Sequence, residues 1–184
     1  MNGTSASCLR TLSLSAGFLL GVIATSAAEW VHSFRGPDVF GNAEGYAVGS
    51  DNMGLGNLLV IRCTKNDALE LAFLAPSTPS EVDEAAKSFG RTVQAVQVRI
   101  KIDDGPVQNF DDAAVKPWNR NSIGIVIEGR NPALLALVRS IGTANSKIAV
   151  GVDMAGHKAS LAFGASGSTA AINAITNVCK LDEK

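Results

Sequence analysis

The stretch Phe163-Gly-Ala-Ser-Gly-Ser-Thr-Ala-Ala-Ile-Asn-Ala-Ile-Thr-Asn-Val-Cys179 decides the fold. Gly167 frees the chain from a preceding strand, and Ser166 or Ser168 offers a hydroxyl to the first helical amides. Ala170 to Ile175 then runs on without Pro or Gly, so the pattern predicts a helix over about 168–180. Ile172, Ile175, Val178 and Cys179 recur at intervals of three, four and seven, which places the Cys179 thiol on the stripe that must be buried.

Working outward, the other cysteines are Cys8 and Cys63. Cys8 belongs to a stretch with the three parts of a secretory signal. Arg10 and polar residues come first, then an apolar run from Leu12 to Ile23, then small residues Ala24 to Ala28, with cleavage expected after Ala28. The apolar run is shorter than the roughly 20 residues of a spanning helix, so no transmembrane span is expected in the mature chain. A lipid anchor needs a cysteine just after that run, and Cys8 precedes it. Residues 1–28 are therefore read as a leader and 29–184 as a single exported domain. Two cysteines then remain, and an oxidising compartment favours a Cys63–Cys179 disulfide, with two free buried thiols as the alternative.

Between the cysteines the chain reads mostly as strands. Trp30, Phe34 and Phe40 alternate with glycines, suggesting short strands joined by turns, and Ser50 to Asn57 is turn chemistry. Leu58 to Thr64 and Ala68 to Leu74 form a hairpin across Asn66-Asp67, with Leu69, Leu71 and Phe73 on one face. Residues 80–88 fit either a short helix or an acidic loop. Thr92 to Asp103 puts Val96, Val98, Ile100 and Ile102 on one face, and Asp104-Gly105-Pro106 turns the chain back as an antiparallel meander. Asn109 to Val115 is expected to be polar connecting loop, followed by Trp118 and a strand from Ile123 to Glu128. Asn131 caps a helix over about 131–142, with Pro132 at its first position and Gly142 at its stop. Lys147 to Asp153 and Ala159 to Phe163 make a last hairpin. About six to eight strands and two helices argue an α+β fold, an antiparallel sheet with both helices packed on one side and one disulfide.

Composition narrows function. Removing the leader leaves 15 basic against 17 acidic side chains, a net charge of −2, with no basic cluster, which excludes a nucleic-acid partner. The only histidines, His32 and His157, are far apart in sequence without metal-ligand spacing, so no metal or cofactor is expected. Ser166, His157 and Asp153 could be drawn as a small Ser hydrolase, but Gly-x-Ser-x-Gly is absent and a helix cap, a turn histidine and a strand-end acid account for the same residues. Asp103 and Asp104 are adjacent carboxylates suited to a turn. The residues left as partner-binding candidates are Arg99 and Lys101, projecting from a strand, and Trp118 beside Pro117, since Trp combines apolar area with a donor, the alternative being that Trp118 fills the core.

The order Leu-Val-Ile-Arg62-Cys63, Val98-Arg-Ile-Lys-Ile-Asp-Asp-Gly105, Trp118, a short helix, paired strands and Phe163 to Cys179 resembles the type VI secretion-associated TagO/VasI-like family, and more distantly the invasion-associated locus B proteins. The likeness covers roughly residues 58–180. It departs from the family at Lys101, which interrupts the usual Arg-Ile-Asp spacing, and in lacking a lipid-type leader. The resemblance implies a periplasmic or secreted accessory protein that binds a protein or cell-envelope component, with no catalytic residues. A structural surface or virulence-associated protein is the alternative.

Overall fold

In a computed structural model, described over residues 29–36, 43–63, 68–88, 96–154 and 156–181, a nine-stranded antiparallel sheet runs in the order β1-β2-β3-β4-β7-β6-β5-β8-β9. The strands are β1 (Trp30–Arg35), β2 (Glu44–Ser50), β3 (Leu58–Cys63), β4 (Leu69–Pro76), β5 (Val96–Ile102), β6 (Val107–Asn119), β7 (Ser122–Glu128), β8 (Lys147–Met154) and β9 (His157–Gly164). The helices are α1 (Pro79–Ser88), α2 (Pro132–Gly142) and α3 (Ser168–Thr176). The leader, the Asn66-Asp67 turn and the start of the strand expected from Thr92 lie outside the described residues.

The sheet curls until its ends meet. Asp51, just past β2, bridges Phe163 of β9, and the Asn52 amide donates to the Ala162 carbonyl at 3.1 Å. The concave side is the core. Leu59, Ile61 and Cys63 of β3, Leu69 and Leu71 of β4, Val96, Val98 and Ile100 of β5 and Ile148 and Val150 of β8 meet Leu134, Leu137, Val138 and Ile141 of α2 and Ile172 and Ile175 of α3. This is the alternation read from β4 and β5, carried through to burial. Asn131 caps α2, its Oδ1 accepting the Leu134 amide at 2.7 Å, with Pro132 at the first turn.

Two features give the curl its room. The Trp30 ring enters the core over Gly49, its register partner, and its Nε1–H donates to the Gly164 carbonyl at 2.7 Å. A Cβ on Gly49 would lie 2.5 Å from the ring, so only glycine fits. The Cys63–Cys179 disulfide ties the end of β3 to the turn after α3, with Cα atoms 5.3 Å apart. Gly45 of β2 lies against it; a Cβ there would stand 3.0 Å from the Cys179 sulfur. Arg130 donates to the Cys179 carbonyl and Arg139 to that of Leu181, so guanidinium groups hold the acceptor end of the last helix.

Two expectations change, one open reading is settled and one helix is added. Asn109 to Val115 is not a loop but the middle of β6, a 13-residue strand that pairs with β5 at one end and β7 at the other. An extra residue at Asp111-Asp112, where Val96 and Val98 of β5 face Ala113 and Phe110, breaks the alternation that would have marked it. Residues 80–88 are helical: in α1 Thr78 and Glu81 form a capping box, the Thr78 amide donating to Glu81 Oε2 at 2.7 Å and the Glu81 amide to Thr78 Oγ1 at 3.4 Å. Neither serine caps α3. Gly167 takes the cap position at φ 86°, without a side-chain bond, and Ser168 is buried. Finally, while α2 and α3 fill the concave side, α1 packs outside against β6 and β7.

Candidate functional site: the outer face around Trp118

Antiparallel sheets often leave one face to water, but strands β2, β3, β4, β7 and β6 carry apolar residues on both. On the outer face Val60, Ala72, Leu74 and Val126 form a second cluster, flanked by Tyr46, Val48, Leu58 and Trp118. The cross-strand register explains it: Val48, Val60, Ala72, Val126 and Ala114 fall in one row, and Arg62, Glu70 and Glu128 in the next.

Trp118 sits half-buried at the rim of this cluster, near the end of β6. Its ring leans over Gly124 of β7, where a Cβ would lie 2.9 Å from Leu74 Cδ2 and 3.5 Å from Trp118 Cε3. The Arg62 guanidinium covers the ring, 4.2 Å from its centroid, and is itself oriented by Glu70, whose Oε2 accepts from Arg62 Nε at 2.6 Å. A stacked cation of this kind contributes about 0.5–1 kcal/mol at a partly exposed site. Lys116 and Glu128 pair beside them.

Beyond the ring an open groove of about 520 Å³ separates Trp118 and Arg120 from Val82, Asp83 and Ala86 of α1. Its two walls are joined at one end. The Ser77 amide, entering α1, donates to the Asn121 carbonyl at 2.9 Å, and Asn119 Oδ1 accepts from the Asn121 amide and the Ser122 hydroxyl at 2.8 Å each. The Thr78 amide and then its hydroxyl hold the Glu81 carboxyl below its ordinary pKa.

The other sequence candidates lie elsewhere. Arg99 is exposed and Lys101 half-exposed on β5. Arg99 pairs with Asn109, nine residues down β6 from Trp118, or about 30 Å at strand rise, so the three do not form one patch. Ser166 and His157 stand at opposite ends of β9, more than about 20 Å apart, while Asp153 accepts the Gly156 amide at 3.1 Å. Hydrogen-bond reach between that serine and histidine is therefore absent. Asp103 is spent on structure: its carboxylate accepts the amides of Asn145, Ser146 and Lys147 at 2.8, 2.8 and 3.0 Å, and these bonds hold its pKa far below the ordinary value. Asp104 is exposed. Among the described residues no group of three or more His, Cys, Asp and Glu could hold a metal ion, and no helix is long and apolar enough to cross a membrane.

Sequence reasoning missed Arg62 and Glu70, which looked like ordinary outward strand residues. The available signal was Gly124 inside an Ile- and Val-rich strand, which marks a close approach from a neighbour. A scan against family models and searches of curated proteins and of solved structures each return no match for this chain.

Proposed function

We propose that the protein is a non-catalytic, exported accessory protein that binds a protein or envelope component, with Trp118 as the anchor. The observation carrying this reading is a half-buried indole, covered on one face by Arg62, that lines an open groove. Such a residue offers apolar area, and its contacts with Arg62 and over Gly124 reduce the side-chain entropy that binding would remove. The resemblance to periplasmic accessory families points the same way for role and compartment, and the structural envelope protein remains the alternative.

The test uses the disulfide-bonded protein as bait for envelope extract, alongside Trp118→Ala, Arg62→Ala and the distant Arg99→Ala. A specific partner bound by the parent and by Arg99→Ala, and weakened about tenfold or more by Trp118→Ala, is the expected result. Equal capture by a folded Trp118→Ala protein refutes the assignment. Cell fractionation with intact mass checks export and cleavage after Ala28.

A further inference from the structure

Strand β1 ends the sheet on one side, and from Val31 to Arg35 every residue is exposed, Val31 at 61% and Phe34 at 58%. The direction of its backbone groups follows from two bonds. The Ser50 amide donates to the Glu29 carbonyl at 3.1 Å, across to β2, whereas the Trp30 amide donates away from β2, to the Ser166 carbonyl at 3.2 Å. In an antiparallel pair these roles alternate. Val31, Ser33 and Arg35 therefore bond to β2, and His32 and Phe34 turn both N–H and C=O outward, with no backbone partner among the described residues.

Ser166 is thus the first rung of a strand position that the chain itself leaves after one residue to start α3. The position continues along His32 and Phe34, beside α3, which packs along β1 and carries no acidic or basic residue in its first or last turn. The opposite edge is treated differently. β9 bears His157 and Lys158, and its second half is covered through the Asp51–Phe163 bridge and the Asn52 bond to Ala162. Lysine and cover are usual protections of an edge, and along its middle β1 has no lysine and no cover from the described residues.

We infer that β1 is a strand-addition site, taking an extended, uncharged segment of a partner protein with alternating apolar residues, through the backbone of His32 and Phe34. The outward groups supply the ladder, and the Phe34 side chain, on the same side of the strand as Trp30, is the apolar platform. A second copy of the chain is disfavoured. Ser166 and the start of α3 close the position at Trp30, leaving an edge of some five residues, a short ladder for a two-fold pairing of whole chains. This site is independent of the Trp118 groove.

The experiment pans a phage-displayed library of random decapeptides on the disulfide-bonded protein, synthesises the selected peptides and follows single-amide hydrogen exchange. In the free protein the Val31, Ser33 and Arg35 amides are slow and those of His32 and Phe34 fast. Selected peptides with alternating apolar residues should slow His32 and Phe34 at least tenfold, with Trp118→Ala behaving as the parent. His32→Pro removes an amide without a native partner, so it should keep the unfolding midpoint and weaken the peptide about fivefold or more, whereas Ser33→Pro should lower the midpoint. Phe34→Ala, which leaves the backbone intact, should also weaken the peptide. Absence of any selected binder, protection confined to other amides, or undiminished binding by both His32→Pro and Phe34→Ala overturns the inference. Concentration-dependent protection of His32 and Phe34 with doubled mass and no peptide also overturns it, in favour of a second copy.

Discussion

Opening the Cys63–Cys179 bridge is the perturbation with the largest expected effect. The cysteines are 116 residues apart, and a cross-link of that span removes unfolded-chain entropy equivalent to about 5 kcal/mol at 25 °C. Both sulfurs are buried, Cys63 at 2% exposure and Cys179 at 0%, so replacing both with Ala adds a small void beside Gly45 and Ile175. Opposing the loss, α3 keeps Ile172 and Ile175, and the turn after it keeps the buried Leu181 and the bonds of Arg130 and Arg139 to the Cys179 and Leu181 carbonyls. The fold should therefore survive, weakened, since domains of this kind are stable by only about 5–15 kcal/mol. With a urea dependence of about 2 kcal/mol per M, the midpoint should fall by roughly 2–3 M in the Cys63→Ala/Cys179→Ala protein and on reduction. Exchange at α3 amides should accelerate more than at β4 or β7. A midpoint shift under about 0.5 M in both samples would mean that packing and the two arginines alone secure α3, refuting the reasoning.

Gly49→Ala should cost about 3 kcal/mol, because its Cβ would lie 2.5 Å from the Trp30 ring and the indole must leave its bond to Gly164. Differential scanning calorimetry should show a drop of about 5–10 °C, and an unchanged transition contradicts the packing. Acid should also weaken the fold. Amides of Asn145, Lys147 and Ser146 and the Ser146 hydroxyl hold Asp103 low, and at Asp51 burial pushes the carboxyl up but the amides of Leu55, Asn57 and Met53 outweigh it. Both folded values lie below the ordinary 3.8, so their stabilisation is complete above about pH 4–5 and is lost as pH falls below that. Asp103→Asn should flatten stability between pH 5 and pH 2, measured by urea unfolding at each pH; a slope equal to the parent's contradicts the assignment.

The elements legible from sequence were those whose local pattern and tertiary environment agree. Periodicity and capping chemistry placed α2 within a residue, and the period-2 alternation of β5 matched its burial. Two cysteines left after the expected leader pointed to the disulfide. The ambiguous segments were ones where a local device competes with the pattern: the Asp111-Asp112 bulge hid β6, and the capping box of α1 reads as an acidic run. Of the candidate site, Trp118 was legible because a Trp beside Pro117 stands out. Arg62, Glu70 and Gly124 were not, because Arg62 and Glu70 form a local hairpin pair whose role depends on Trp118 and Gly124, which come from strands distant in sequence.

What local pattern determined is most of the strands, α2 and α3, and the inward direction of Cys179, since side-chain spacing and cap residues act within a few positions. What only the tertiary structure decided is strand order: placing β7 and then β6 beside β4 brings Trp118 to the Arg62–Glu70 pair of the β3–β4 hairpin, and curling the sheet joins Asp51 to Phe163. It also decided which edge stays open. The physical reason is that register and closure are set by contacts between residues far apart along the chain, and no periodicity within a single strand encodes which strand will lie beside it.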